Sequence, residues 1–301
     1  MQVKSAFSTA VQPDAARSSL EKSMTYKTVL VHCESGKTAP TCLAAATGVA
    51  EKFGARLVAL HARALFEMPT FYEDAFSMGP LVEAHEERVK AEQLASRGYF
   101  HDAVKGRAMA SEWLAMDGHA EELLAQKARC ADLVVVGQTG LDTAFSTPEN
   151  LPEAVAMTSG RPVLVIPSVG AAKPIGKKIM LCWNASRESA RAAADAMPFF
   201  GAAEKVIVLV VEARKSDADP KAPAGADAVA WLAQQGIDAI VDRETANDAD
   251  VGSVILARAA AHDIDLIVMG VYGHSRLREW AMGGASRTIL SGMTVPVLIS
   301  H

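Results

Sequence analysis

The residues best suited to chemistry lie in the C-terminal quarter of the chain, in IVMGVYGHSRLREWAMGGASRTIL. An apolar run ends at Gly270, Gly273 follows, and Gly283 and Gly284 stand where a helical pattern resumes. His274, Arg276 and Arg278 lie between the glycines, and Ser286 lies just beyond them. Glycine lets backbone N–H groups approach a ligand with no Cβ in the way. A helix start adds unpaired N–H groups and about half a positive charge. Backbone donors, a hydroxyl and basic side chains around one loop suit a polyphosphate. His274 is equally compatible with a hydrogen-bonded loop residue, and Arg276 and Arg278 with solvated surface charges.

Other patterns carry less. Gly36-Lys37-Thr38 follows an apolar run, but a phosphate-binding P-loop needs a glycine where Val31 stands. Thr38 and Pro40 suit a helix start instead. AHEERVK opens like a zinc-protease helix, yet Val89 replaces the second histidine. Cys33, Cys42, Cys130 and Cys182 lack metal or disulfide spacing. No nucleophile-elbow motif is present, so no catalytic residue and no metal ligand is assigned.

The elements that position the glycine segment come twice. YKTVLVHCES pairs with GKKIMLCWNAS, ARLVALHA with EKVIVLVVEA, ARCADLVVVGQTG with AHDIDLIVMGVYG, and SGRPVLVIPS with GMTVPVLISH, in the same order. This is an internal duplication. Apolar runs alternating with helical patterns predict α/β units with parallel sheets covered on both faces. In the second half the pattern predicts strands near 177–183, 205–211, 238–242, 265–270 and 295–299, and helices near 186–199, 223–235, 250–262 and 283–292. A long amphipathic helix is expected near 81–104. The expected organisation is a disordered or tag-like extension at 1–23, one domain at 24–168, a linker at 169–177 and a second domain at 178–301.

A 301-residue chain with half its residues hydrophobic and a net charge of −5 suits a two-domain globular protein and argues against a general nucleic-acid binder. No apolar run reaches the length of a membrane span and no apolar leader is evident at the start, so a cytoplasmic protein is expected.

GVYGHSRLREWAMGGAS resembles the G-x2-G-x9-G-[Ser/Thr] signature of the universal stress protein family, with Gly270, Gly273 and Gly283 in place and Gly284 at the Ser/Thr position. The tandem branch of that family is the nearest likeness. The resemblance implies two tandem Rossmann-like (adenine nucleotide alpha hydrolase-like) domains, each an open five-stranded parallel sheet with helices on both faces. It implies ATP or another adenine nucleotide in the second domain: Gly270 and Gly273 along the phosphates, Gly283, Gly284 and Ser286 at phosphate and ribose, Asn184 at the ribose, and the adenine near Val211, with His274 and Arg276 beside the loop. Asn184 replaces the family's usual aspartate, which weakens any Mg²⁺ role. The implied function is a sensor or adaptor in stress response with an unidentified protein partner, and at most slow ATP hydrolysis. The alternative is a nucleotide-independent interaction module. Family members pair through their final strands, so RPVLVI and VPVLIS are expected to pair within the chain as a pseudo-dimer, and two chains to associate further as a homodimer. The first domain keeps Gly137 and Gly140, but STPENLPEA, with Pro148 and Pro152, replaces the glycine pair. Asp142 and Glu149 add negative charge, so this site is expected to be degenerate.

Overall fold

The computed structural model describes residues 25–66, 79–140, 147–169, 174–212, 224–247, 249–271 and 284–301. Ten strands form one sheet: β1 (Thr28–His32), β2 (Arg56–Arg63), β3 (Ser111–Asp117), β4 (Leu133–Gly137), β5 (Val163–Ile166), β6 (Lys178–Cys182), β7 (Lys205–Glu212), β8 (Ala239–Thr245), β9 (Leu266–Gly270) and β10 (Val297–Ser300). Their order is β3-β2-β1-β4-β5-β10-β9-β6-β7-β8. Each half therefore has the 3-2-1-4-5 order of a doubly wound sheet, in which the direction of winding reverses between its first and fourth strands.

The helices are α1 (Ala39–Phe53), α2 (Gly79–Val104), α3 (Ala120–Ala128), α4 (Leu151–Ser159), α5 (Arg187–Asp195), α6 (Met197–Gly201), α7 (Ala226–Gln234), α8 (Val251–Ala261) and α9 (Gly284–Gly292). The helix expected over 186–199 is two helices. Pro198, at the start of α6, has no N–H to donate to the preceding turn, and the helix is interrupted at Ala196. β8 runs further than its apolar core suggests, because an edge strand keeps pairing through polar residues with only one neighbour to satisfy.

The inner strands carry β-branched and leucine side chains on both faces and bury nearly all of them, while the edge strands β3 and β8 are more exposed. One core, beneath α1, α5 and α7, runs from Val29 and Leu57 to Leu181 and Val208. The opposite core, beneath α3, α4, α8 and α9, runs from Leu30 and Val134 to Ile267 and Ile299. Both cores cross from one half to the other. Repeated aspartates begin β4 and β9: Asp132 accepts from the N–H groups of Lys27 (2.7 Å) and Thr28 (2.9 Å), and Asp265 from those of Gly176 (2.8 Å) and Lys177 (2.9 Å).

The halves join where the final strands meet. β5 and β10 pair antiparallel, with Leu164 opposite Leu298, both fully buried. A second contact forms near the end of the expected linker. Lys52 donates to the carbonyls of Ile175 (2.9 Å) and Gly176 (3.2 Å), and Tyr26 donates its hydroxyl to the Asp195 carbonyl at 2.7 Å. Phe199 meets Tyr26 and Phe53 edge-on, with ring centroids 5.6 and 5.1 Å away.

Leu164→Ala should lower the free energy of unfolding by about 2–5 kcal/mol, the range for opening a cavity in a packed core. Because the cores are shared, hydrogen exchange should accelerate in β1 and β6 together; acceleration confined to one half would contradict a shared core.

Candidate functional site

In the C-terminal half, β6 and β9 lie side by side at the reversal of winding, and β7 flanks β6. Their carboxyl ends form one edge carrying Asn184, Val211 and Gly270. α8 and α9 contribute their N-termini. Gly252 in α8 allows the two helices to cross closely: a Cβ there would lie 2.7 Å from the Thr288 Cβ and 2.8 Å from the Ala285 carbonyl oxygen. Gly273, His274, Arg276 and Gly283, with Arg278, lie outside the described residues.

Each remaining site residue has a definite setting. Asn184 is exposed, and its side-chain oxygen accepts from the Ser186 N–H at 3.2 Å. Ser186 in turn caps α5, accepting from the Ser189 N–H at 3.2 Å. Between them Ala185 sits at φ 56°, a left-handed conformation that L side chains adopt at a cost. Val211 is half-buried. Gly284 is exposed at the head of α9, and among the described residues a Cβ built on it meets nothing nearer than the Asp250 carboxylate at 3.9 Å. Ser286, one turn in, is buried.

Gly270 is a glycine for a reason its spacing does not reveal. The sequence pattern leaves its missing Cβ as room for a phosphate. A Cβ there would stand 2.4 Å from the Glu188 backbone carbon and 2.6 Å from the Ser189 nitrogen. The first turn of α5 occupies the space, so close helix–strand packing imposes this glycine.

Asp250 is a neighbour that sequence reasoning missed. It caps α8 by accepting from the Ser253 N–H at 3.0 Å, which places a carboxylate beside the start of α9. The signal was present as an aspartate three residues before a serine at a helix start.

The corresponding edge of the N-terminal half is filled by a side chain. Glu34 stands where the repeat places Asn184 in the other half, and it is buried. Its carboxylate accepts from the Thr38 hydroxyl at 2.8 Å and the Thr147 hydroxyl at 3.2 Å. A Cβ on Gly137 would lie 3.5 Å from it. The sequence pattern assigned the negative charge here to Asp142 and Glu149. Asp142 lies outside the described residues, and the Glu149 carbonyl is held by the Thr139 hydroxyl. Glu34 was legible in HCES aligned against CWNAS.

Beneath Glu34 lies a buried polar cluster. Ser96 donates to the Cys33 carbonyl at 2.7 Å, and His61 Nδ1 lies 2.9 Å from the same oxygen. Burial pushes the Cys33 thiol up to about 11, against the opposing pull of the Ser96 hydroxyl and the Trp113 indole. Such a thiol is inert. Burial lowers His32 to about 4, more than the Glu34 carboxylate beside it raises it. The four cysteines are free, and among the described residues no group of three or more His, Cys, Asp or Glu side chains is placed to hold a metal ion. No helix among them is long and apolar enough to cross a membrane.

Two outcomes follow. Gly270→Ala should destabilise the chain by about 1–3 kcal/mol through overpacking against α5, whereas Gly284→Ser should change stability by less than about 1 kcal/mol; thermal melts compare them. His32 takes up its proton near pH 6.5 when unfolded and only near 4 when folded. Stability is then complete above pH 6.5 and falls by about 3 kcal/mol toward pH 4. Urea titrations across that window should show this slope flattened in His32→Asn; an unchanged slope would mean that His32 does not cause it.

The profile of the universal stress protein family matches residues 176–301. None of the curated proteins matches the sequence significantly. Among solved structures, a universal stress protein from Archaeoglobus fulgidus DSM 4304 is similar with a TM-score of 0.67 and 14% identity, over 91% of this chain and 97% of that chain. A functionally unknown protein from Pseudomonas aeruginosa PAO1 is similar with a TM-score of 0.57 and 15% identity, over 93% and 94% of the two chains. At these identities the likeness shows the fold. Residues 176–301 are a domain of the universal stress protein family, and the chain as a whole is similar in fold to structures of that family.

Proposed function

We propose that the C-terminal half binds an adenine nucleotide, ATP in the first instance, and that the chain acts as a nucleotide-responsive sensor or adaptor in stress response. The observation that carries this reading is the open start of α9. Gly284 is exposed, and among the described residues a Cβ on it would touch only the Asp250 carboxylate, at 3.9 Å; it stands at the reversal of strand order where doubly wound sheets take their ligands. The N–H groups of the first helical turn attract a phosphate there. In the reading, Gly270, Gly273 and Gly283 carry the backbone past the phosphates, with His274 and Arg276 beside them. Asn184 offers its amide to the ribose, and Val211 offers an apolar wall to the base.

The residues fit the nucleotide better than a divalent cation. Asn184 stands where a carboxylate would serve Mg²⁺, and the Asp250 carboxylate beside Gly284 is engaged in capping α8. We assign no catalytic residue, and any hydrolysis should be slow. The N-terminal half is read as unable to take the nucleotide, since an incoming phosphate would meet the buried Glu34 carboxylate.

A nucleotide-independent interaction module is the second reading, favoured by the buried Ser286 and by the filling of the space beside Gly270. Calorimetric titration with ATP separates the two. The full chain should bind, and Gly273→Asp, which places a carboxylate in the loop, should weaken binding at least about tenfold, or about 1.4 kcal/mol. Binding that survives Gly273→Asp would overturn the proposed loop, and the absence of binding by the full chain would favour the second reading.

A further inference from the structure

The N-terminal half keeps a Gly-x-x-Gly turn, GQTG at 137–140, although Glu34 fills the edge beside it. Its second residue shows what the turn now does. Gln138 reaches across the junction into the C-terminal half. Its amide nitrogen donates to the carbonyls of Leu290 at 2.7 Å and Ser291 at 3.1 Å, at the end of α9. These carbonyls belong to the last helical turn, which has no partners within the helix. The amide oxygen of Gln138 accepts from the backbone N–H of Ser168 at 2.9 Å and from its hydroxyl at 3.0 Å. One side chain thus ties the end of α9 to Ser168, two residues past the end of β5.

The antiparallel junction explains the reach. β5 and β10 run in opposite directions, so the carboxyl edges of the two halves face opposite ways along the sheet. α9 leads back to β10 and so runs from one edge to the other. Its nine residues span about 13 Å at 1.5 Å per residue. Its N-terminus opens the candidate nucleotide site, and its C-terminus ends beside the turn of the first half. The contact has no mirror image. The repeat places Val271 opposite Gln138, and Val271 is fully buried and apolar. The corresponding helix, α4, ends instead in a left-handed Gly160.

We propose that Gln138 is a positioning residue for the C-terminal nucleotide site. By holding the far end of α9 it fixes the axis along which the helix presents Gly284 and its first-turn N–H groups to the phosphates, and it couples the site to the N-terminal half. The proposal rests on the nucleotide reading above. The turn retained in the N-terminal half is a support for the site in the other half, which accounts for a glycine motif persisting where a carboxylate fills the edge.

Coupling of this kind is reciprocal: if the Gln138 cap strengthens ATP binding by some factor, ATP strengthens the cap by the same factor. Two measurements on the full chain test it. Gln138→Met, similar in size but without donor or acceptor, should weaken ATP binding about three- to tenfold by calorimetry. In the unmodified chain, saturating ATP should slow hydrogen exchange at the Ser168 amide by a similar factor, a readout that needs no variant and that a purely structural cap would not show. If ATP binds the unmodified chain but either the affinity of Gln138→Met or the exchange of Ser168 is unchanged, this inference fails while the nucleotide reading stands. If the unmodified chain binds no ATP, both fail.

Discussion

The arrangement depends on one pairing, the antiparallel contact between β5 and β10. Each half alone would end in an apolar strand with one open edge, and open edges of buried strands are liable to pair with other chains. Joining the two edges completes the hydrogen-bonding ladder and merges two five-stranded sheets into one of ten. Leu164 and Leu298, opposite one another at the seam, lie as deep as any residue in either half. The same pairing sets the layout of everything else. It makes the two cores continuous, and it turns the carboxyl edge of one half away from that of the other. A helix packed beside the seam consequently has one end at each edge, and α9 occupies that position.

The duplicated halves have diverged at equivalent points. Two residues beyond the first strand of each repeat, one half carries the buried Glu34 and the other the exposed Asn184. The buried carboxylate is held by two threonine hydroxyls, which supply hydrogen bonds that burial would otherwise remove. An anion built into one edge opposes a second anion there, while the open helix start at the other edge favours one. In the proposed reading one half keeps a ligand site and the other is a closed structural unit. Gln138 joins the two, bonding the end of α9 in one half to Ser168 in the other.

Much of this was legible in the residues. Four paired segments in fixed order gave the duplication, and apolar runs without alternation gave parallel strands covered on both faces. RPVLVI and VPVLIS pair as the family resemblance implied. The parts that were not legible share a cause, which is that spacing does not report what fills the space beside a residue. Gly270 reads as room for a ligand and is room for α5. Ser286 reads as a ligand hydroxyl and is buried in the first turn of α9. Gln138 lies more than 150 residues from the carbonyls it caps, so no local pattern could connect them. Pro198 was legible as a helix breaker, and the helix expected across it is broken there.

The central claim is an asymmetry: one half takes an adenine nucleotide and the other is closed by its own carboxylate. Native mass spectrometry of the full chain, freshly purified and then incubated with ATP, measures this as a stoichiometry. The account predicts one nucleotide per chain, with no second bound as ATP is raised. Two nucleotides per chain would show that Glu34 does not close the first edge, and none would show that the open start of α9 is not a nucleotide site.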